Sequence, residues 1–336
     1  MAPLLNEPDE DLSARGHYGF LAGMLLRDYG KQLSDCIFVV GDNCAVNRLL
    51  ATLMGVPLVG WASHRLNRAV QGDMEHYEDD LACVQALMMR LRTLKQSAKF
   101  RLKTSLRPVI RLDTRWSSTF SMVHRYFKLL EHLDSTDDAI VDVLPAPPCN
   151  KCLLSLLKDL KKVLSVSKAL QGASVTLLDA RVWFDGLIAV KPHYARFLGP
   201  RADILHSPHF ESGCVRVLGG SHRLTRTEKV ALQPFCCVEE EPPHTTEGAS
   251  SADSEDEGSF VEYLQKRRRL AAVEPRYDLL SCIPPTSNLV ERFFTVARTT
   301  YGQERHSLQS ITLELVLFLR QNGKYWTAQT VDEATR

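Results

Sequence analysis

Two short apolar runs near the start of the chain constrain the fold most, because they are its clearest β-strand signals. Residues 36–40, CIFVV, are rich in β-branched side chains and are followed by the turn-forming sequence GDN. Residues 56–64, VPLVGWASH, form the second predicted strand, and the amphipathic segment between the two runs predicts a helix that ends at Gly55. Another helix, ending at Gly30, is predicted before the first run. This alternation of strands and helices predicts an α/β fold with a crossover connection.

The remainder of the chain carries mainly helical patterns. The clearest lie at 120–133, 152–172 and 176–198, and strand signals become sparse in this part of the sequence. Residues 239–257 contain eight acidic residues and no Lys or Arg, a composition that predicts a disordered loop. The predicted regions are a partial α/β core at 1–74, a helical insertion domain at 75–280 and a closing helical segment at 281–328.

Composition and cysteine spacing narrow the class of protein. The 336 residues are 44% hydrophobic and carry a net charge of +1, so any affinity for nucleic acid must come from local basic patches. The pair Cys149 and Cys152 has no second pair of ligands nearby, which favours reduced thiols over a zinc site. No signal peptide is evident, and no apolar run approaches the ~20 residues of a membrane helix. The sequence therefore predicts a soluble intracellular protein without a membrane partner.

A basic stretch at 90–128 contains eleven Lys and Arg residues and one acid, with aromatic residues such as Trp116 between them. Such a stretch can follow a phosphate backbone while its aromatic rings stack on bases. It can equally be a solvated helix face whose basic side chains cover the core with their aliphatic stems. Both interpretations stay open. The sequence KRRR at 266–269 fits a nuclear-import signal, so we expect a nuclear protein, with the cytoplasm as the alternative.

The closing segment has two amphipathic patterns, at 287–300 and around 313–326. Together they offer more apolar surface than a short terminal segment can bury by itself. Glu291 is the acidic residue that the first pattern carries close to its start. A carboxylate in the first helical turn is stabilised by the helix dipole and needs no further role, although it could also be a ligand.

Four features in a fixed order carry a family resemblance. Asp42 follows the first predicted strand, His64 ends the second, Arg115 and Trp116 follow much of the basic stretch, and Glu291 lies within PPTSNLVERFFTVA. In this order they resemble the hAT superfamily of cut-and-paste DNA transposases, over nearly the whole chain. The resemblance implies a ribonuclease-H-like sheet, interrupted by a large all-helical insertion and closed by a helical dimerisation segment.

The same resemblance implies roles for individual residues. In the family, two aspartates and a glutamate hold two divalent cations, Mg²⁺ or Mn²⁺, which carry out phosphoryl transfer. Asp42 matches the second aspartate and Glu291 matches the glutamate. His64 matches a histidine of the catalytic pocket. Arg115 and Trp116 match a DNA-binding pair whose tryptophan stacks on a displaced base.

The chain departs from the family pattern at several positions, and these departures affect the function that we expect. Trp61 replaces the cysteine of a Cys-x-x-His motif, and the first aspartate and an N-terminal zinc finger would both lie upstream of Met1. We therefore expect an N-terminally truncated, transposase-derived protein that is catalytically inactive, needs no cofactor, and retains homodimerisation and possible DNA binding. The alternative is an active transposase or nuclease that uses Mg²⁺ or Mn²⁺ and takes its missing aspartate from an additional N-terminal part. The residues expected at the dimer interface are Phe293, Phe294, Leu317 and Phe318.

Overall fold

The computed structural model describes residues 11–112, 116–133, 136–172, 174–221, 223–236, 277–301 and 309–334. Within these ranges the protein is mostly helical, with one small sheet formed by β1 (Val39–Gly41) and β2 (Leu58–Gly60). The helices are α1 (Ala14–Tyr29), α2 (Ala45–Met54), α3 (Ala62–Met74), α4 (Glu78–Leu91), α5 (Leu94–Lys103), α6 (Trp116–Leu129), α7 (Asp138–Val141), α8 (Pro147–Ala169), α9 (Leu177–Val190), α10 (Ala195–Leu198), α11 (Pro208–Leu218), α12 (Arg226–Leu232), α13 (Asn288–Tyr301), α14 (Ser310–Gln321) and α15 (Ala328–Ala334).

The sheet is parallel, and α2 is the crossover helix between its strands. Val39 lies opposite Leu58, and Gly41 lies opposite Gly60. Parallel strands require such a crossover, so the predicted strand–helix–strand order is confirmed in this coarse sense. Gly55 ends α2 with a φ of 68°, in the left-handed region that glycine enters without a steric penalty.

The predicted boundaries need correction at several elements. Both strands are shorter than expected: the first begins at Val39, and the second ends at Gly60. The prediction that His64 ends a strand is wrong, because α3 begins at Ala62 and His64 lies in its first turn. Helix α8 begins at Pro147, ahead of the predicted start, because proline at the first helical position sacrifices no intrahelical hydrogen bond.

Two clusters of buried apolar side chains form the core. The larger joins α3, α4, α6, α8 and α9, so the helix that follows β2 shares its core with helices of the predicted insertion. The smaller packs β2 through Val59 against α11, α12 and the region around Ile283. The central residues of the larger cluster include Leu66, Leu87, Met122, Tyr126, Leu156 and Phe184.

The closing helices are attached to this core by hydrogen bonds that precede and begin α13. The backbone N–H of Ala62 donates to the carbonyl oxygen of Pro285 at 2.8 Å. The Asn288 amide donates to the carbonyl oxygen of Leu170 at 2.6 Å, just beyond the end of α8. These contacts bring α13 beside the beginning of α3 and the end of α8.

Some sequence predictions fall outside the described residues. They are the acidic stretch at 239–257, the KRRR sequence at 266–269 and Arg115. None of the helices in the described ranges is both long enough and apolar enough to cross a membrane.

Candidate functional site

A cleft of about 670 Å³ lies where α3, α6, α8 and α13 meet. His64, Trp116 and Glu291 all line it, although they come from three elements far apart in the sequence. The structure therefore brings together three of the residues singled out from the sequence. The other lining residues are mixed. Hydroxyl, amide and guanidinium groups come from Ser63, Asn67, Ser117, Ser167, Gln171, Asn288, Thr295 and Arg298, and apolar surface comes from Trp61, Leu164, Leu170 and Phe294.

The amphipathicity of α3 explains why His64 faces the cleft. Leu66 and Val70 are buried on the core side of this helix. His64 and Asn67 lie one turn apart, on the side of the helix that lines the cleft. Both are partly exposed, so their polar atoms are accessible to a ligand.

Trp116 begins α6 and forms part of the cleft wall. Only 6% of its surface is exposed, and its ring packs into the larger core cluster. The ring is therefore part of the core, and only a small part of the residue can contact a ligand in this conformation. Its predicted base-stacking role stays a prediction.

Glu291 lies in the first turn of α13, the position at which a carboxylate is stabilised by the helix dipole. Its Oε1 accepts a hydrogen bond from the Ser287 hydroxyl at 2.9 Å. Arg298 lies two turns further along the same face and also lines the cleft. Among the described residues, Arg298 has no ion-pair partner, so its guanidinium is available to an anion.

Asp42 lies outside the set of residues that line the cleft. Its Oδ1 accepts hydrogen bonds from the Asn47 amide at 2.7 Å and from the Cys44 backbone N–H at 3.3 Å. Burial acts to raise the pKa of Asp42, but hydrogen bonds from Cys44 and Asn47 and the charge of His64 outweigh it and lower the pKa. The carboxylate is therefore ionised at neutral pH and engaged in the turn that leads into α2.

Two divalent cations, as the resemblance implies, would need several carboxylate or imidazole ligands at one place. Within the described residues, no group of three or more His, Cys, Asp or Glu side chains could hold a metal ion. Cys149 and Cys152 do not belong to such a group either. Asp42 and Glu291 belong to no such group, and the described residues do not fit the implied metal centre.

Other polar groups near the sheet are held in the interior. The side-chain amide of Asn43 and the indole nitrogen of Trp61 are buried and make no hydrogen bond to the described part of the protein. A Cβ atom placed on Gly60 would lie only 2.4 Å from Nδ2 of Asn43, so the amide lies directly against this glycine. Trp61 also lines the cleft, so its ring forms part of the cleft wall.

Sequence patterns missed several cleft residues. Arg298 could have been found, because it lies seven residues after Glu291 and two helical turns bring the chain back to the same face. Ser167 and Gln171 could not, because nothing local distinguishes them from other polar residues of an amphipathic helix. Their place in the cleft follows from the packing of α8 against α6 and from the contacts of α13.

A scan of protein-family models and a search of curated proteins found no match for this chain. The resemblance to hAT transposases therefore stays a prediction, supported by the order of Asp42, His64, Trp116 and Glu291 along the chain. The function of the chain has to be inferred from the geometry and chemistry of the cleft and of the exposed surfaces.

Proposed function

We propose that this chain is a hAT-transposase-like protein with a partial ribonuclease-H-like sheet, which binds DNA in the cleft and associates with itself through its closing helices. The observation that carries the proposal is the meeting of His64, Trp116 and Glu291 in one cleft. These residues match three separate family positions, and no local sequence pattern would place them together.

The lining of the cleft suits a strand of DNA. Its volume lies within the range of about 300–1,000 Å³ that is typical of ligand sites. Hydroxyl and amide groups can hydrogen-bond to sugar and phosphate oxygens, and the Arg298 guanidinium can pair with a phosphate. Glu291 is the one carboxylate among the lining residues, and its Oε1 accepts a hydrogen bond from the Ser287 hydroxyl.

Binding is better supported than cleavage. The described residues supply too few carboxylates for a pair of divalent cations. The runner-up, a nuclease or transposase that requires Mg²⁺ or Mn²⁺, needs a further carboxylate that converges on Glu291 from another part of the protein or from a partner.

Binding can be tested by fluorescence anisotropy with a labelled single-stranded oligothymidylate of about four nucleotides. We expect wild-type protein to bind, and Arg298→Gln to bind more weakly with a slope of affinity against salt reduced by about 0.7, the value for one lost phosphate contact. Arg15→Gln, an equivalent charge removal at an exposed residue of α1 that lies outside both the cleft and the basic stretch at 90–128, is the control and should bind like wild type. Failure of folded wild-type protein to bind DNA contradicts the proposal.

A nicking assay in Mg²⁺ or Mn²⁺ separates the two functions. We expect no cleavage by the wild-type chain. Cleavage that is lost in Glu291→Ala would support the metal-dependent enzyme in place of the binding protein.

Self-association is proposed for the closing helices because several large apolar side chains there face solvent. Phe318 is 53% exposed, Leu315 is 56% exposed, and Phe294 is also exposed. Of the other residues predicted at the interface, Phe293 is partly buried and Leu317 is buried, so these two pack within the described structure. An exposed apolar patch of this kind is typical of a protein–protein contact.

Light scattering after size exclusion tests this part. We expect a dimer for the wild type and a monomer for the double variant Leu315→Asp/Phe318→Asp, since a buried unpaired charge opposes association. Leu102→Asp, at a highly exposed apolar residue of α5, should leave the dimer intact. A wild-type monomer at micromolar concentration would refute self-association.

A further inference from the structure

The surface where α6 and α8 pack leads away from the cleft. Helix α6 begins at the cleft with Trp116, and the segment just after α8 reaches the same cleft with Gln171. The two helices contact each other, so the N-terminal end of α6 lies beside the C-terminal end of α8 at the cleft. From there α6 runs outward along its sequence and α8 runs outward against its sequence.

Four residues of α6 follow one another at a spacing of four along this outward path: Trp116, Phe120, His124 and Lys128. This spacing places them on one side of the helix. Their exposure rises from the buried Trp116, through the partly exposed Phe120 and His124, to the exposed Lys128. The rings of Phe120 and His124 are stacked, with centroids 5.6 Å apart and planes only 8° from parallel.

Positive charge from both helices surrounds the stacked pair. Burial lowers the pKa of His124, and the charges of Lys128, Lys161 and Arg125 lower it further. Lys161 belongs to α8 and lies one turn outward from Leu164, which lines the cleft. Within the described residues, Lys128 and Lys161 have no ion-pair partner. The α6–α8 surface, defined as Phe120, His124, Lys128 and Lys161, therefore combines planar rings with two uncompensated lysines.

We propose that the α6–α8 surface binds single-stranded DNA that continues out of the cleft, with the lysines on its phosphates and the rings beside its bases. The inference rests on the proposed function, since the strand enters from the cleft. Uncompensated lysines beside stacked rings match a chain that carries both phosphates and bases, whereas an acidic peptide would use only the charges. Lys128 lies about 18 Å from Trp116 along the helix axis. This distance corresponds to about five nucleotides at a stacked spacing of about 3.4 Å.

The test compares labelled oligothymidylates of about four and about twelve nucleotides on the full chain, by anisotropy between about 50 and 200 mM salt. We expect the longer strand to bind wild type at least tenfold more tightly. The double variant Lys128→Gln/Lys161→Gln should lose most of this gain, while its affinity for the shorter strand stays unchanged. Its salt slope for the longer strand should fall by about 1.4, the value for two phosphate contacts.

Lys162→Gln is the matched control. Lys162 is adjacent to Lys161 and is 50% exposed, but its side chain turns to Asp159 on another face of α8. This variant should bind both strands like wild type. Phe120→Leu retains the apolar contact with the core but removes the ring, and should weaken binding of the longer strand by about fivefold or more.

The outcomes distinguish the two proposals. Equal affinity of wild type for the two strands overturns the proposal that the α6–α8 surface binds DNA, and leaves the proposal of binding in the cleft intact. The proposal for the α6–α8 surface is also overturned if the double variant keeps the whole gain in affinity of the longer strand over the shorter one, or if Lys162→Gln loses as much of that gain. Absence of binding for both strands overturns DNA binding in the cleft and, with it, the outward path.

Discussion

We expect the substitution Arg65→Met to destabilise the fold clearly. This residue of α3 is buried, and its Nη1 donates to Oε2 of Glu211 at 3.0 Å. Its Nε donates to the carbonyl oxygen of Phe197 at 3.1 Å. Its Nη2 donates to the carbonyl oxygens of Leu198 at 3.2 Å and Gly199 at 3.1 Å. One side chain thus connects α3 to α11 and to the end of α10.

The magnitude follows from what Arg65→Met leaves behind. Methionine fills part of the volume but donates no hydrogen bond, so the Glu211 carboxylate loses its ion-pair partner and the carbonyl oxygens of Phe197 and Gly199 lose the hydrogen bonds from Arg65. Burial raises the pKa of Glu211 and lowers the pKa of Arg65, which shows how strongly this site opposes an uncompensated charge. Breaking a buried ion pair by removing one partner costs about 3–5 kcal/mol, and we expect a loss of that size in the free energy of unfolding.

Urea unfolding followed by circular dichroism measures this loss. Asp185→Asn is the control: it breaks an ion pair with Arg181 whose carboxylate is largely exposed, and should cost at most about 0.5 kcal/mol. The double variant Arg65→Met/Glu211→Leu should recover part of the stability, because it also removes the stranded carboxylate. A loss of stability in Arg65→Met that is no larger than the loss in Asp185→Asn would refute this account of the buried pair.

Two further predictions concern a close contact and a titration. Gly60→Ala should lower the free energy of unfolding by about 1–3 kcal/mol, because the new methyl group would press on the Asn43 amide. Gly19→Ala on α1, where a Cβ meets no atom within 4 Å, should instead stabilise by about 0.5–1 kcal/mol; equal effects in urea unfolding would contradict both. Hydrogen bonding from Lys99 lowers the pKa of Asp137 to about 2, from an ordinary 3.8. Because the pKa is lower in the folded state, this stabilisation is complete well above the ordinary pKa of 3.8 and is lost as the pH falls through 3.8 towards 2. NMR titration of the Asp137 carboxyl carbon tests this, and a midpoint near 3.8 would contradict it.

Sequence patterns predicted the elements that depend on interactions between residues close together in the chain. Gly30 and Gly55 were expected to end helices, and both do so with a positive φ, because a left-handed terminal residue favours glycine whatever the rest of the fold. The order of the two strands and α2 was likewise readable from β-branched runs and helical periodicity. Boundaries were less accurate: His64 falls in a helix because α3 begins at Ala62, where a hydrogen bond to the distant Pro285 contributes.

The sequence by itself determined the order of the two strands and α2 and several amphipathic helices, since these depend on side chains a few residues apart. It also singled out His64, Trp116 and Glu291, through a resemblance carried by their order along the chain. Only the tertiary structure decided that these three line one cleft while Asp42 lies outside its lining. That outcome depends on how α3, α6, α8 and α13 pack, and packing is set by contacts between residues far apart in the chain.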